Sequence, residues 1–126
     1  MVSFERFEPG GDGPIYLQIL DYIRRGAVAG TVVDGDELPS RRVLSALLGI
    51  NPNTVQKAFH LLEEEGLIES RSGAKSVMTL DQTKIDRIRT QLLGQDMGKL
   101  VTALKTAGVT LEEAVSLLQK SWEGEI

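Results

Sequence analysis

Residues 38–62 read LPSRRVLSALLGINPNTVQKAFHLL and contain neither aspartate nor glutamate. The whole chain carries 18 acids against 14 lysines and arginines, so an acid-free run of this length stands apart. Within it lie Arg41, Arg42, Lys57 and His60. Ser40 is placed to cap a short helix over 40–48, with Val43, Leu44, Leu47 and Leu48 facing inward. Gly49 stops that helix. After Ile50, Asn51 serves as the next N-cap and Pro52 occupies the first turn. The following helix runs over 52–65 with Val55, Ala58, Phe59 and Leu62 inward, and Gly66 closes it. Two short helices joined by a glycine turn, kept clear of negative charge, suit a surface that meets a polyanion.

Working outward, residues 1–13 are polar and glycine-rich, with Pro9-Gly10-Gly11, and read as a loose arm. Pro14 opens a helix over 14–29, on which Ile15, Ile19, Tyr22, Ile23 and Ala27 recur at helical spacing. Gly30 ends it, and Gly35-Asp36 marks a turn. After Gly66 come two β-like runs, Leu67–Arg71 and Ser76–Leu80, separated by Ser72-Gly73-Ala74-Lys75. Three helices and a hairpin make a winged helix-turn-helix over 14–80.

Residues 81–126 form an all-α tail, and the fold class is therefore α+β. Ile85, Ile88, Leu92, Met97, Leu100, Val101 and Leu104 make an apolar stripe on a helix over 82–106, loosened at Gly94 and Gly98. Gly108 breaks it. Thr110 and Glu113 form a capping box for a last helix over 111–122, carrying Leu111, Ala114, Val115, Leu117, Leu118 and Trp122. Two helices alone cannot bury such stripes, so the tail is expected to act as a dimerisation domain.

Hydrophobic residues make up 41% and charged residues 25%, the ordinary range for a globular protein. No apolar run approaches the ~18 residues needed to cross a bilayer, the N-terminus lacks a signal-peptide core, and there is no cysteine. These readings point to the cytoplasm, with no membrane partner. The net charge of −4 runs against a nucleic-acid binder. Its distribution matters more than its total, because the acids flank residues 38–62 and leave them free.

The residue types in that window fit base readout. A recognition helix enters the major groove with its N-terminal end leading. Asn51, Asn53, Thr54, Gln56 and Lys57 are polar groups of suitable reach. Asn and Gln pair bidentately with adenine, and the Thr methyl meets a thymine methyl. The helix N-terminus offers free N–H groups to phosphate. Arg42 is placed to clamp the backbone or reach guanine, with Ser40 and Arg41 beside it. Two readings stay open: Asn51 as a cap only, and Arg41 and Arg42 as a solvated pair.

The combination Pro14-Ile15-Tyr16-Leu17-Gln18-Ile19, Leu38-Pro39-Ser40 with Arg42 and Leu44, Asn51-Pro52-Asn53-Thr54-Val55-Gln56-Lys57-Ala58, and Leu61 through Gly66-Leu67-Ile68 resembles the GntR-type bacterial transcription regulators. The short two-helix tail resembles the YtrA-like branch. The resemblance implies a homodimer on an inverted-repeat operator in double-stranded DNA, repressing or controlling a nearby operon, often one for a transporter. It implies DNA contact by Arg42, Asn51, Asn53, Thr54, Gln56 and Lys57 and by the wing around Gly73, with Arg71 and Lys75 beside it. Two departures stand out. An acid usually follows the arginine, and this chain has Val43. The wing usually reads Gly-x-Gly-Thr and an aromatic, whereas here it is Gly73-Ala74-Lys75-Ser76-Val77, which trades a glycine for a cation.

No catalytic set, phosphate-binding loop or cofactor motif is present, and no enzymatic activity, cofactor or metal is expected. His60 has no second histidine to share a metal. Trp122 reads as a packing residue of the tail. Any small-molecule effector, unidentified, would act on the tail or near Asp81–Ile85. The competing reading is a winged-helix module that binds protein and not DNA. A docking helix would show exposed aromatics or leucines, and here the front of the helix is polar.

Overall fold

The computed structural model describes residues 1–11, 13–71 and 75–126. The elements run α1 (Ile15–Ala29), β1 (Glu37–Leu38), α2 (Arg41–Leu48), α3 (Pro52–Glu64), β2 (Ile68–Arg71), β3 (Lys75–Met78), α4 (Gln82–Thr106) and α5 (Leu111–Trp122). They fall into two compact units, Met1–Arg89 and Thr90–Ile126. The division lies inside α4, not ahead of it at residue 81.

In the first unit, α1 and α2 both pack against α3. Ile19, Ile23, Leu44, Val55, Phe59, Leu62, Leu67, Met78 and Ile88 are the largest of its fully buried side chains. The three-stranded antiparallel sheet has the order β1-β3-β2. Ser70 lies opposite Ser76 and Arg71 opposite Lys75. The hairpin was expected. The two-residue strand β1, pairing Glu37 with Val77 and Leu38 with Ser76, was not. A two-residue strand carries no periodicity to read.

Local chemistry accounts for the element ends. Ser40 Oγ accepts the Val43 amide at 3.1 Å, and Asn51 Oδ1 accepts the Asn53 amide at 2.8 Å. Gly49 takes φ 66° and Gly66 φ 75°, left-handed conformations that side-chain-bearing residues adopt at a cost. Thr110 Oγ1 accepts the Glu113 amide at 3.2 Å. The start of α4 is fastened within the first unit. Lys84 Nζ donates to the Gly66 and Thr79 carbonyls at 2.7 and 3.0 Å, and Asp81 Oδ1 accepts the Lys84 amide at 2.8 Å.

Three expectations are corrected. The first seven residues are not a loose arm: Val2, Phe4 and Phe7 are buried. Phe4 stacks on Tyr22 with ring centroids 5.3 Å apart, and Phe7 meets Tyr22 edge-on at 5.4 Å. The Tyr22 hydroxyl donates to the Ser3 carbonyl at 2.7 Å, and the Val2 amide donates to the Glu37 carbonyl at 2.8 Å. Three apolar side chains on seven residues outweigh the glycines that follow.

The second correction concerns α2. Val43 and Leu47 are 51% and 65% exposed, and the inward positions are Leu44 and Ser45. Ser45 belongs inside because its hydroxyl donates to the Ile50 carbonyl at 2.6 Å and closes the turn. Apolarity was a poor guide on a helix of eight residues. Third, α4 runs unbroken through Gly94 and Gly98.

Candidate nucleic-acid interface

Helix α3 is divided lengthwise. Val55, Ala58, Phe59 and Leu62 are buried, while Asn51, Asn53, Gln56, Lys57 and His60 are exposed and Thr54 is half-buried. The exposed residues at 53, 56, 57 and 60 lie on one face at helical spacing. That face contains no acid before Glu63. Pro52 in the first turn and the Asn51 cap fix where it begins. The cap occupies Asn51 Oδ1 and leaves the side-chain NH2 as its outward donor.

Lys57 is held by a residue outside the window. Its Nζ sits 4.1 Å from the centroid of the Tyr16 ring, at the start of α1. The ring steadies the cation without neutralising it. Tyr16 had no assigned role in the sequence, and no local pattern could have supplied one, because the contact joins separate helices.

The two arginines at the start of α2 differ. Arg42 is exposed and makes no ion pair among the described residues. Arg41 turns inward, its guanidinium carbon 5.2 Å from the Phe59 ring centroid and Nη2 3.6 Å from Glu63 Oε1. Ser40 is exposed, but its hydroxyl oxygen is engaged in the cap.

On the wing, Arg71 and Lys75 are exposed cross-strand neighbours. Each has a loose acidic partner: Arg71 Nε lies 3.7 Å from Glu69 Oε1 and Lys75 Nζ 3.9 Å from Glu37 Oε1. Exposed pairs of this kind are worth about 0–1 kcal/mol and yield readily to a stronger anion. Gly73 lies outside the described residues. His60 faces solvent and pairs with Glu64 at 2.9 Å. Among the described residues no group of three or more His, Cys, Asp or Glu side chains could hold a metal ion. No described helix is long and apolar enough to cross a membrane.

The tail positions divide likewise. Ile88 and Leu92 are buried within the single chain and Ile85 and Leu104 are half-buried. Met97, Leu100, Val101, Leu111, Val115, Leu117, Leu118 and Trp122 are exposed, as is Leu93, which lies outside the stripe read from the sequence. No residue of α5 is buried.

Residues 15–76 match the gntR family of bacterial regulatory proteins. The chain is 32% identical over 111 residues to the uncharacterized HTH-type transcriptional regulator YhcF of Bacillus subtilis strain 168, covering 88% of this chain and 92% of YhcF. It is 32% identical over 109 residues to the HTH-type transcriptional repressor YtrA of the same strain, covering 86% of this chain and 84% of YtrA. The structure of a GntR family transcriptional regulator from Listeria monocytogenes aligns at TM-score 0.77 and 31% identity, covering 88% of this chain and 97% of that one. With the winged helix-turn-helix, its polar α3 face and the short two-helix tail in place, the chain belongs to the GntR family, in its YtrA-like branch, and is a DNA-binding transcription regulator and not an enzyme.

Proposed function

We propose that the protein is a dimeric repressor that reads an inverted-repeat operator beside the genes it controls, in the cytoplasm. The observation that carries the reading is the outward face of α3, where Asn53, Gln56 and Lys57 stand exposed on a helix otherwise locked into the core. Asn53 and Gln56 are assigned to base edges, Lys57 and Arg42 to phosphate or guanine, and Thr54 to the groove wall. Arg71 and Lys75, exposed cross-strand neighbours on the hairpin, are assigned to phosphate. Ser40 contributes its exposed position at the start of α2.

The dimer reading rests on the second unit, where a single copy leaves Met97, Leu111, Val115, Leu118 and Trp122 in water. A second copy related by C2 symmetry supplies the same face in return and presents two α3 helices to two half-sites. The repressor sign follows the name of the YtrA relative. An effector, if the cell supplies one, acts on the tail helices, through which the two copies associate.

The experiment is fluorescence anisotropy with duplexes from the gene's own upstream region against scrambled duplexes, at physiological salt. Specific binding by the full chain is expected to exceed the non-specific by at least about a thousandfold. Equal affinity for the two would end the reading.

A further inference from the structure

Glu63 stands on the last turn of α3, and one of its carboxylate oxygens meets two other elements. Oε1 accepts the Ser70 hydroxyl from β2 at 2.7 Å and lies 3.6 Å from Nη2 of Arg41, at the start of α2. The Arg41 guanidinium also covers the Phe59 ring of α3. Its Nε is buried without a hydrogen-bond partner among the described residues. The guanidinium lies against the protein, with the side chain half-buried.

Strand β2 is an edge strand, paired among the described residues only with β3, and it ends at Arg71. At its base Leu67 and Ile68 are buried, whereas Glu69, Ser70 and Arg71 are exposed. The Ser70–Glu63 bond is therefore the polar tie between the exposed half of β2 and the recognition helix.

We propose that Glu63 is a positioning residue for DNA binding. It sets the wing strand and the start of α2 against α3, and Arg41 serves this brace instead of the DNA. The proposal rests on the reading of the wing as a phosphate-contacting element. Phosphate contacts fix the register of a protein on its duplex, so a wing allowed to swing on its hairpin loses them.

Charge gives the test its sign. Removing an acid beside a DNA-binding face should tighten binding if only the overall field mattered. The brace predicts the opposite. Full-length Glu63→Ala and Ser70→Ala are compared with Glu64→Ala, whose side chain pairs with His60 on the exposed face of α3. Amide hydrogen exchange across β2 and β3 is read in the free protein, and operator affinity and its salt slope in the complex.

Glu63→Ala and Ser70→Ala should exchange wing amides several-fold faster than Glu64→Ala. They should bind operator about fivefold more weakly, the fold-change of a tie worth about 1 kcal/mol. The salt slope of Glu63→Ala should fall by about one, the share of one phosphate contact. Unchanged wing exchange in Glu63→Ala, or operator binding as tight as the parent's, would overturn the proposal. Lys75→Ala leaves the brace intact and tests the wing reading by itself. An unchanged slope there sinks that reading, whereas normal exchange in Glu63→Ala sinks the brace.

Discussion

Asn51 and Gln56 lie about a turn and a half apart on one helix, yet their substitutions should be felt by different instruments. Asn51 Oδ1 caps α3, so Asn51→Ala should lower the unfolding free energy by about 1 kcal/mol in a thermal melt. Gln56 is exposed and caps nothing. Gln56→Ala should leave the melt unchanged and relax the preference at particular base pairs by about 1–3 kcal/mol, read with single-substituted operators. If Gln56→Ala weakened all duplexes alike, the residue would be touching the backbone and not a base. The exposed positions of α3 were legible in the sequence because the helix is long enough to show its period. The orientation of Arg41 was not. Glu63 and Phe59, which turn it inward, belong to another helix and leave no trace near residue 41.

At the scale of elements, α2 teaches how a short helix misleads. Its buried face is set by where the turn after it must close, and Ser45 is drawn inside for its hydroxyl. Leu44→Ala should cost about 2–5 kcal/mol, as a fully buried leucine does, while Leu47→Gln should stay within about 0.5 kcal/mol. Chemical denaturation separates the two, and a large loss at Leu47 would contradict the exposed placement. The longer helices were readable to within a residue or so, since α4 and α5 have caps and glycines that act locally. The N-terminal segment escaped because Val2, Phe4 and Phe7 find their partners on α1 and beside β1, far along the chain. In α4, a Cβ added at Gly94 or Gly98 meets nothing within 4 Å. Replacing each by alanine should stabilise the helix by about 1 kcal/mol per site, read as a higher melting temperature. A loss of stability would mean that these glycines are covered by something a single copy lacks.

At the scale of the whole molecule, the second unit is a pair of helices without a core of its own side chains in α5. Val115→Glu with Leu118→Glu should keep the protein monomeric in light scattering at micromolar concentration. It should also weaken operator binding far more than binding to a single half-site. A variant that stayed dimeric would place the contact elsewhere. Trp122, the one tryptophan in the chain and 86% exposed, gives this unit a built-in lamp. Excited at the red edge, where the two tyrosines scarcely absorb, the unlabelled protein's fluorescence reports on the end of α5. Dilution through the association range should move the emission to longer wavelength as the indole meets water. The same signal, followed while metabolites are added to the DNA-bound protein, makes the tail its own detector of any small molecule that shifts its packing.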